Sequence, residues 1–208
     1  MAERWLEHRV SADEAGRTVQ EVLTGPMQVS RRMIQKLTRA RGILLNRRAA
    51  YLGRKVKAGD VVAARVGFEE EAGLAPVAMP LAIVHEDDDV LLLDKPPFLL
   101  VHPTSPEQKE TLSHGVAHHF AQRGVRAKVR PVHRIDRDTS GLVLFAKSAV
   151  SHARLDAQLR EGGLQRVYQA VVDGVVEEDE GIVDAPIGRD PRRPHLRAVR
   201  DDGEAART

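Results

Sequence analysis

The sequence predicts an α+β protein: a small basic module, an acidic linker, and a larger mixed, mostly antiparallel sheet with peripheral helices. Three observations carry that prediction. Short apolar runs bounded by turn-forming residues recur along the chain and read as strands. Other stretches place apolar residues at helical spacing behind a capping hydroxyl. Positive charge is also confined to one region. Of 32 Lys and Arg, ten lie between Ser30 and Gly59 without one Asp or Glu, so the rest of the chain holds 22 basic against 30 acidic residues. The net charge of +2 therefore hides a segment suited to attract polyphosphate.

Residues 1–66 form the basic module. Ser30 can cap a helix over Arg31 to Ala40, in which Met33, Ile34, Leu37 and Ala40 share a face, and Gly42 is expected to stop it. Ile43–Asn46 and Val61–Val66 read as strands, separated by turn chemistry at Asn46-Arg47-Arg48 and Ala58-Gly59-Asp60. The candidate polyphosphate-binding cations are Arg31, Arg32, Lys36, Arg39, Arg47, Arg48, Arg54, Lys55 and Lys57. Residues 67–80, opening Gly67-Phe68-Glu69-Glu70-Glu71, are acidic and punctuated by Gly and Pro, as a linker is.

Residues 81–208 make the larger sheet. Leu81–His85 and Val90–Asp94 form a hairpin across Glu86–Asp89, and Thr111–Phe120 reads as a helix. His114 and His118 stand four apart on it, but no Glu lies between them and no third ligand is identifiable, so no metal site is expected. Leu142–Ala146 is a buried strand. Ser148 caps a helix through Val150, Ala153, Leu155 and Leu159 that ends at Gly162-Gly163, and Leu164–Val172 follows as a strand turned by Asp173-Gly174.

The nine residues His133-Arg134-Ile135-Asp136-Arg137-Asp138-Thr139-Ser140-Gly141 precede the buried strand. They set a carboxylate between two guanidinium groups, and an acid held at a rigid strand edge can act as nucleophile, base or ligand. The string resembles the H-R-[LI]-D-x-x-T-[SA]-G signature of the RluA family of RNA pseudouridine synthases. Asp94-Lys95-Pro96-Pro97-Phe98-Leu99-Leu100-Val101-His102-Pro103 resembles the family's first signature, although many members have Gly where this chain has Phe98. Arg166, Tyr168 and Ala170 fit its basic-x-Tyr-x-Ala signature. Residues 1–66 resemble the S-four-like RNA-binding module that often precedes this catalytic domain.

The resemblance implies that Asp136 is the catalytic aspartate, while Asp138 falls at a permissive position. It implies that Arg134 sits beside an extruded nucleotide, that Tyr168 stacks on the uracil, and that His133 orients the loop. It further implies a structured RNA partner, ribosomal or transfer RNA, and no cofactor. The final residues, Gly203-Glu204-Ala205-Ala206-Arg207-Thr208, resemble the stretch just before the family's last signature, which carries the basic partner of the aspartate. A chain lacking that region is expected to have impaired or absent activity.

Two rival readings exist. One is a non-catalytic RNA-binding protein using only residues 1–66. The other starts from Asp136-Arg137-Asp138, which matches the D-x-D opening of haloacid-dehalogenase-type phosphatases, but no hydrophobic strand ends there and Ser140 stands where that chemistry needs Thr or Val. The chain contains no cysteine, which removes disulfides and thiolate metal sites. With no long apolar stretch and no secretory signal, a cytoplasmic monomer without membrane contact is expected.

Overall fold

The computed structural model describes residues 4–66, 73–193 and 196–208, so the expected linker lies in part outside the described residues. The chain divides into two compact units, Met1–Gln165 and Arg166–Thr208. Among the described residues every strand pairing is antiparallel.

The first unit opens with β1 (Trp5–Arg9), α1 (Val19–Thr24), α2 (Arg31–Arg39), β2 (Ile43–Leu45), β3 (Arg48–Ala49) and β4 (Val61–Arg65), with the strands ordered β1-β4-β2-β3. Thr18 and Glu21 form a reciprocal capping box at α1, and the Ser30 hydroxyl accepts the Met33 N–H at α2. Met33, Ile34 and Leu37 turn inward against Val19, Val22 and Leu23 and against Ile43, Leu45 and Val62 of the sheet. That orientation leaves Arg31, Arg32, Lys36 and Arg39 exposed on the opposite face of α2.

Gly42 does not supply the left-handed turn expected after α2. Arg41 does, at φ 51°, while Gly42 is required for close approach, because a Cβ there would come within 2.8 Å of the Leu37 side chain. Asn46 (φ 51°) and Arg47 (φ 63°) form the two-residue connection between paired Leu45 and Arg48, the pattern of a type I′ hairpin turn.

A second sheet, ordered β5-β6-β8-β7, comprises β5 (Ala82–Glu86), β6 (Val90–Lys95), β7 (Arg130–Pro131) and β8 (Gly141–Ala146). Leu91, Leu93, Val143 and Phe145 of its central strands pack on Val116 and Phe120 of α3 (Leu112–Gln122). Truncating a ring such as Phe145 to Ala is expected to cost about 3–5 kcal/mol. The last helix of this unit, α4 (Ala149–Arg160), sends Val150 into the first core, and its Arg154 donates to the Met27 carbonyl at 3.1 Å. Arg4 also ion-pairs with Asp89 on the β5–β6 turn.

Several carboxylates in this unit are held below their usual range. The Ser11 backbone N–H and then the His8 ring bring Glu14 down from 4.5 to about 2, and the N–H groups of Asp89 and Val90 bring Asp87 to about 2. Burial pushes Glu86 upward, but hydrogen bonds from Lys147 and His119 (3.0 and 2.9 Å) outweigh it and its pKa falls. The unfolded chain takes up these protons at ordinary carboxylate pH, so it binds more protons than the folded chain across the window between. Their contribution to stability is therefore full well above pH 4.5 and lost as pH falls toward about 2. Thermal melting followed by circular dichroism should show that decline, and Glu86→Gln should shallow it.

In the second unit, β9 (Ile187–Arg189) pairs with β10 (Arg197–Val199), and Val183 and Thr208 exchange both backbone hydrogen bonds at 2.8 and 2.9 Å. The expected strand over Leu164–Val172 is not formed. Val167 and Val171 are 89% and 105% exposed, and no strand among the described residues pairs with the segment. β-branched residues favour a pleated, half-buried surface but create a strand only where another edge accepts their backbone.

Candidate active site

The loop His133–Ser140 runs from β7 to β8 at one edge of the second sheet. Val132 N–H donates to the Leu144 carbonyl at 2.8 Å, and the next rung is made by a side chain, since Leu144 N–H donates to His133 Nε2 at 3.4 Å. His133 thereby ties the start of the loop to β8.

The far side of the loop rests on Lys95. This is the last residue of β6, and it lies in register with Gly141, the first of β8. Its side chain is fully buried, at 0% exposure, and Nζ donates to the carbonyls of Pro96 (2.9 Å), Leu99 (2.8 Å) and Arg137 (3.0 Å). Three donors thus meet three acceptors, which is the full capacity of an ammonium. Burial lowers its pKa, opposed by the carboxylates of Asp138 and Asp136. Lys95 therefore fixes the backbone one residue beyond Asp136 and places positive charge beneath the two acids.

Asp136, Arg134, Arg137 and Asp138 are all exposed. The Arg137 Nε pairs with Asp138 Oδ1 at 3.0 Å, so the guanidinium that follows Asp136 in sequence is engaged by the other acid. Arg134 is near enough to His102 to affect it: burial first, then the positive charges of Arg134, His114 and Lys128, push the His102 pKa down. His102 Nδ1 lies 3.2 Å from Ser113 Oγ, whose own proton goes to the Val101 carbonyl at 2.7 Å. His102 must then be the donor to Ser113, which leaves Nε2 as the acceptor of a neutral ring.

The structure thus brings Asp136 and Arg134 together on one loop. Tyr168 belongs to the second unit, where it is 57% exposed. Arg31, Arg32, Lys36, Arg39, Arg47, Arg48, Arg54, Lys55 and Lys57 are all exposed on the basic module, and a groove along α2 is lined by Arg32, Gln35, Lys36, Arg39 and Ala40. The histidines of α3 have other partners: His114 Nδ1 is 2.8 Å from Thr111 Oγ1, and His118 Nε2 is 3.4 Å from Gln122. Among the described residues no group of three or more His, Cys, Asp or Glu could hold a metal ion, and no helix is long and apolar enough to cross a membrane. Sequence reasoning assigned no role to Lys95 or His102, although a Lys-Pro pair closing an apolar strand and a His-Pro after it were visible signals.

An exposed acid on a strand-edge loop, braced by a buried lysine and two residues from an exposed arginine, is an arrangement that can serve chemistry on a polyanionic substrate. Comparison with known proteins gives that class its name: a family model described as RNA pseudouridylate synthase matches residues 89–208, and the chain belongs to this family of isomerases. Among its relatives, it is 34% identical over 205 residues to the uncharacterized RNA pseudouridine synthase YhcT of Bacillus subtilis, covering 99% of this chain and 68% of that protein. It is 37% identical over 182 residues to YlyB of the same organism, covering 86% of this chain and 60% of that protein. It is 33% identical to the ribosomal large subunit pseudouridine synthase D of Escherichia coli, covering 100% of this chain and 64% of that protein. The chain thus spans between 60% and 68% of the length of these relatives.

Proposed function

We propose that the chain isomerises specific uridines to pseudouridine in structured ribosomal or transfer RNA, with Asp136 as the catalytic carboxylate. The observation that carries the reading is the loop itself: Asp136 is exposed, yet the next residue's carbonyl is locked by a buried ammonium at 3.0 Å. A reacting group held on a rigid element while open to substrate is the arrangement catalysis needs.

In the reaction the bond from ribose C1′ to uracil N1 breaks, the base turns, and a bond from C1′ to C5 forms. The hydrogen on C5 leaves as a proton, and N1 regains one. Nothing is oxidised or reduced, so no cofactor is required. The carboxylate of Asp136 serves the bond exchange, Arg134 stands by the displaced nucleotide, and Tyr168 supplies a planar face for the detached uracil. Tritium release from RNA labelled at C5 of uridine tests the proposal directly, because each turnover must free that hydrogen.

The first 66 residues serve as the RNA-binding domain in this reading, ahead of a linker over 67–80 and a catalytic domain over 81–208. Replacing Arg32, Lys36 and Arg39 together by Gln should reduce the slope of log affinity against log salt by about 2–3. Filter binding of a ribosomal RNA transcript across a salt series measures that slope, and an unchanged slope would place the RNA elsewhere.

A further inference from the structure

The turn Pro96–Leu99 holds an aromatic residue where the backbone favours glycine. Proline at the second position, Pro97, and φ 65° at the third, Phe98, are the pattern of a type II turn. In that region the Cβ of an L-residue crowds the neighbouring carbonyl, and bulky side chains are rare. Burial does not compensate, because Phe98 is 75% exposed, whereas Phe120 and Phe145 are buried in the core. The turn is nonetheless firmly held. The carbonyls of Pro96 and Leu99, on either side of Phe98, accept from the same Lys95 ammonium that grips the Arg137 carbonyl beside Asp136. One buried cation therefore seats an exposed phenyl ring and the candidate catalytic loop side by side.

Single exposed apolar residues are ordinary. What distinguishes Phe98 is that a disfavoured backbone geometry, held by the same ammonium that grips the Asp136 loop, carries an exposed ring; such strain clusters at functional sites. We propose that Phe98 is a substrate-binding residue whose ring stacks on an RNA base flanking the uridine presented to Asp136. The inference rests on the reading of Asp136 given above. A nucleotide leaving its stack uncovers the faces of its neighbours, and an aromatic side chain replaces that lost contact. A phenyl ring has no hydrogen-bonding edge, so it reads the face of a base and tolerates its identity.

The test compares Phe98→Gly, Phe98→Leu and Phe98→Trp in the full chain, with a large-subunit ribosomal RNA transcript tritiated at uridine C5. Glycine suits φ 65°, so Phe98→Gly should melt at the same temperature as the parent or higher. Its KM should nonetheless rise by about 5- to 150-fold, with kcat changed little. Phe98→Leu should behave like the glycine variant, and Phe98→Trp should stay within about threefold of the parent, since indole also stacks. A KM unchanged in the Gly and Leu variants overturns the inference while leaving Asp136 in place. If the parent chain releases no tritium, the proposed turnover by this chain fails on its own, and the ring is judged by Kd for the same transcript. Weaker binding by the Gly and Leu variants but not by Trp then supports stacking, and equal Kd values overturn it.

Discussion

Asp136→Asn should lower kcat/KM for uridine isomerisation by more than about a thousandfold, or about 4 kcal/mol of transition-state stabilisation. The amide keeps the size and hydrogen-bonding reach of the acid but cannot supply an anionic oxygen. Asp136 is exposed, so the substitution should shift the melting temperature by no more than about 2 °C. Asp138→Asn is the matched control. That acid lies two residues away and pairs with Arg137 at 3.0 Å, so its loss relaxes a surface ion pair and should cost less than about tenfold in kcat/KM. Equal losses in the two variants would remove the distinction between the acids. Steady-state tritium release with each purified variant makes the comparison.

Lys95→Met should be damaging in a different way. Methionine fills much of the same volume, but three carbonyls that face the buried ammonium, those of Pro96, Leu99 and Arg137, lose their donor together. At about 1 kcal/mol or more for each unsatisfied group, the loss reaches about 3–5 kcal/mol, or a fall in melting temperature of roughly 6–15 °C. The Arg137 carbonyl belongs to the same loop as Asp136, so below the melting transition the folded variant should still lose kcat by about tenfold or more through misplacement of the acid. Melting curves and kcat measured well below the transition separate the two effects. A stable variant with normal kcat would show that the ammonium neither supports the turn nor positions the loop.

Much of the architecture was legible where periodicity and capping agreed. The Ser30 and Ser148 hydroxyls cap α2 and α4, α3 begins within the helix expected over Thr111–Phe120 and runs on to Gln122, and the hairpin of β5 and β6 follows its two apolar runs. β1 was not visible, because Trp5-Leu6-Glu7-His8-Arg9 alternates too weakly to stand out and is specified by its pairing with β4. α1 has only six residues, yet its Thr18-x-x-Glu21 capping box was a readable signal. Leu164–Val172 shows the opposite failure: strand-like composition without a partner among the described residues gives no strand.

The loop holding Asp136 and Arg134 could be found from its residue string, but its support could not. Lysine is expected at the surface, so the sequence gives no hint that Lys95 is buried with all three donors spent on carbonyls 1, 4 and 42 residues away. The proton placement on His102 is equally illegible, since it depends on Ser113 giving its hydrogen to Val101. Phe98 reads in sequence as a departure from a preferred glycine, whereas its left-handed backbone shows that the glycine-type turn is kept with an aromatic ring added.

The central claim is that the Asp136 carboxylate drives exchange of the ribose bond from N1 to C5. Its most direct test incubates the parent chain with ribosomal RNA tritiated at uridine C5 and measures both tritium released to water and pseudouridine in the digested RNA. One tritium should be released per pseudouridine formed, and Asp136→Asn should yield neither product. Undiminished formation of both by Asp136→Asn would contradict the claim.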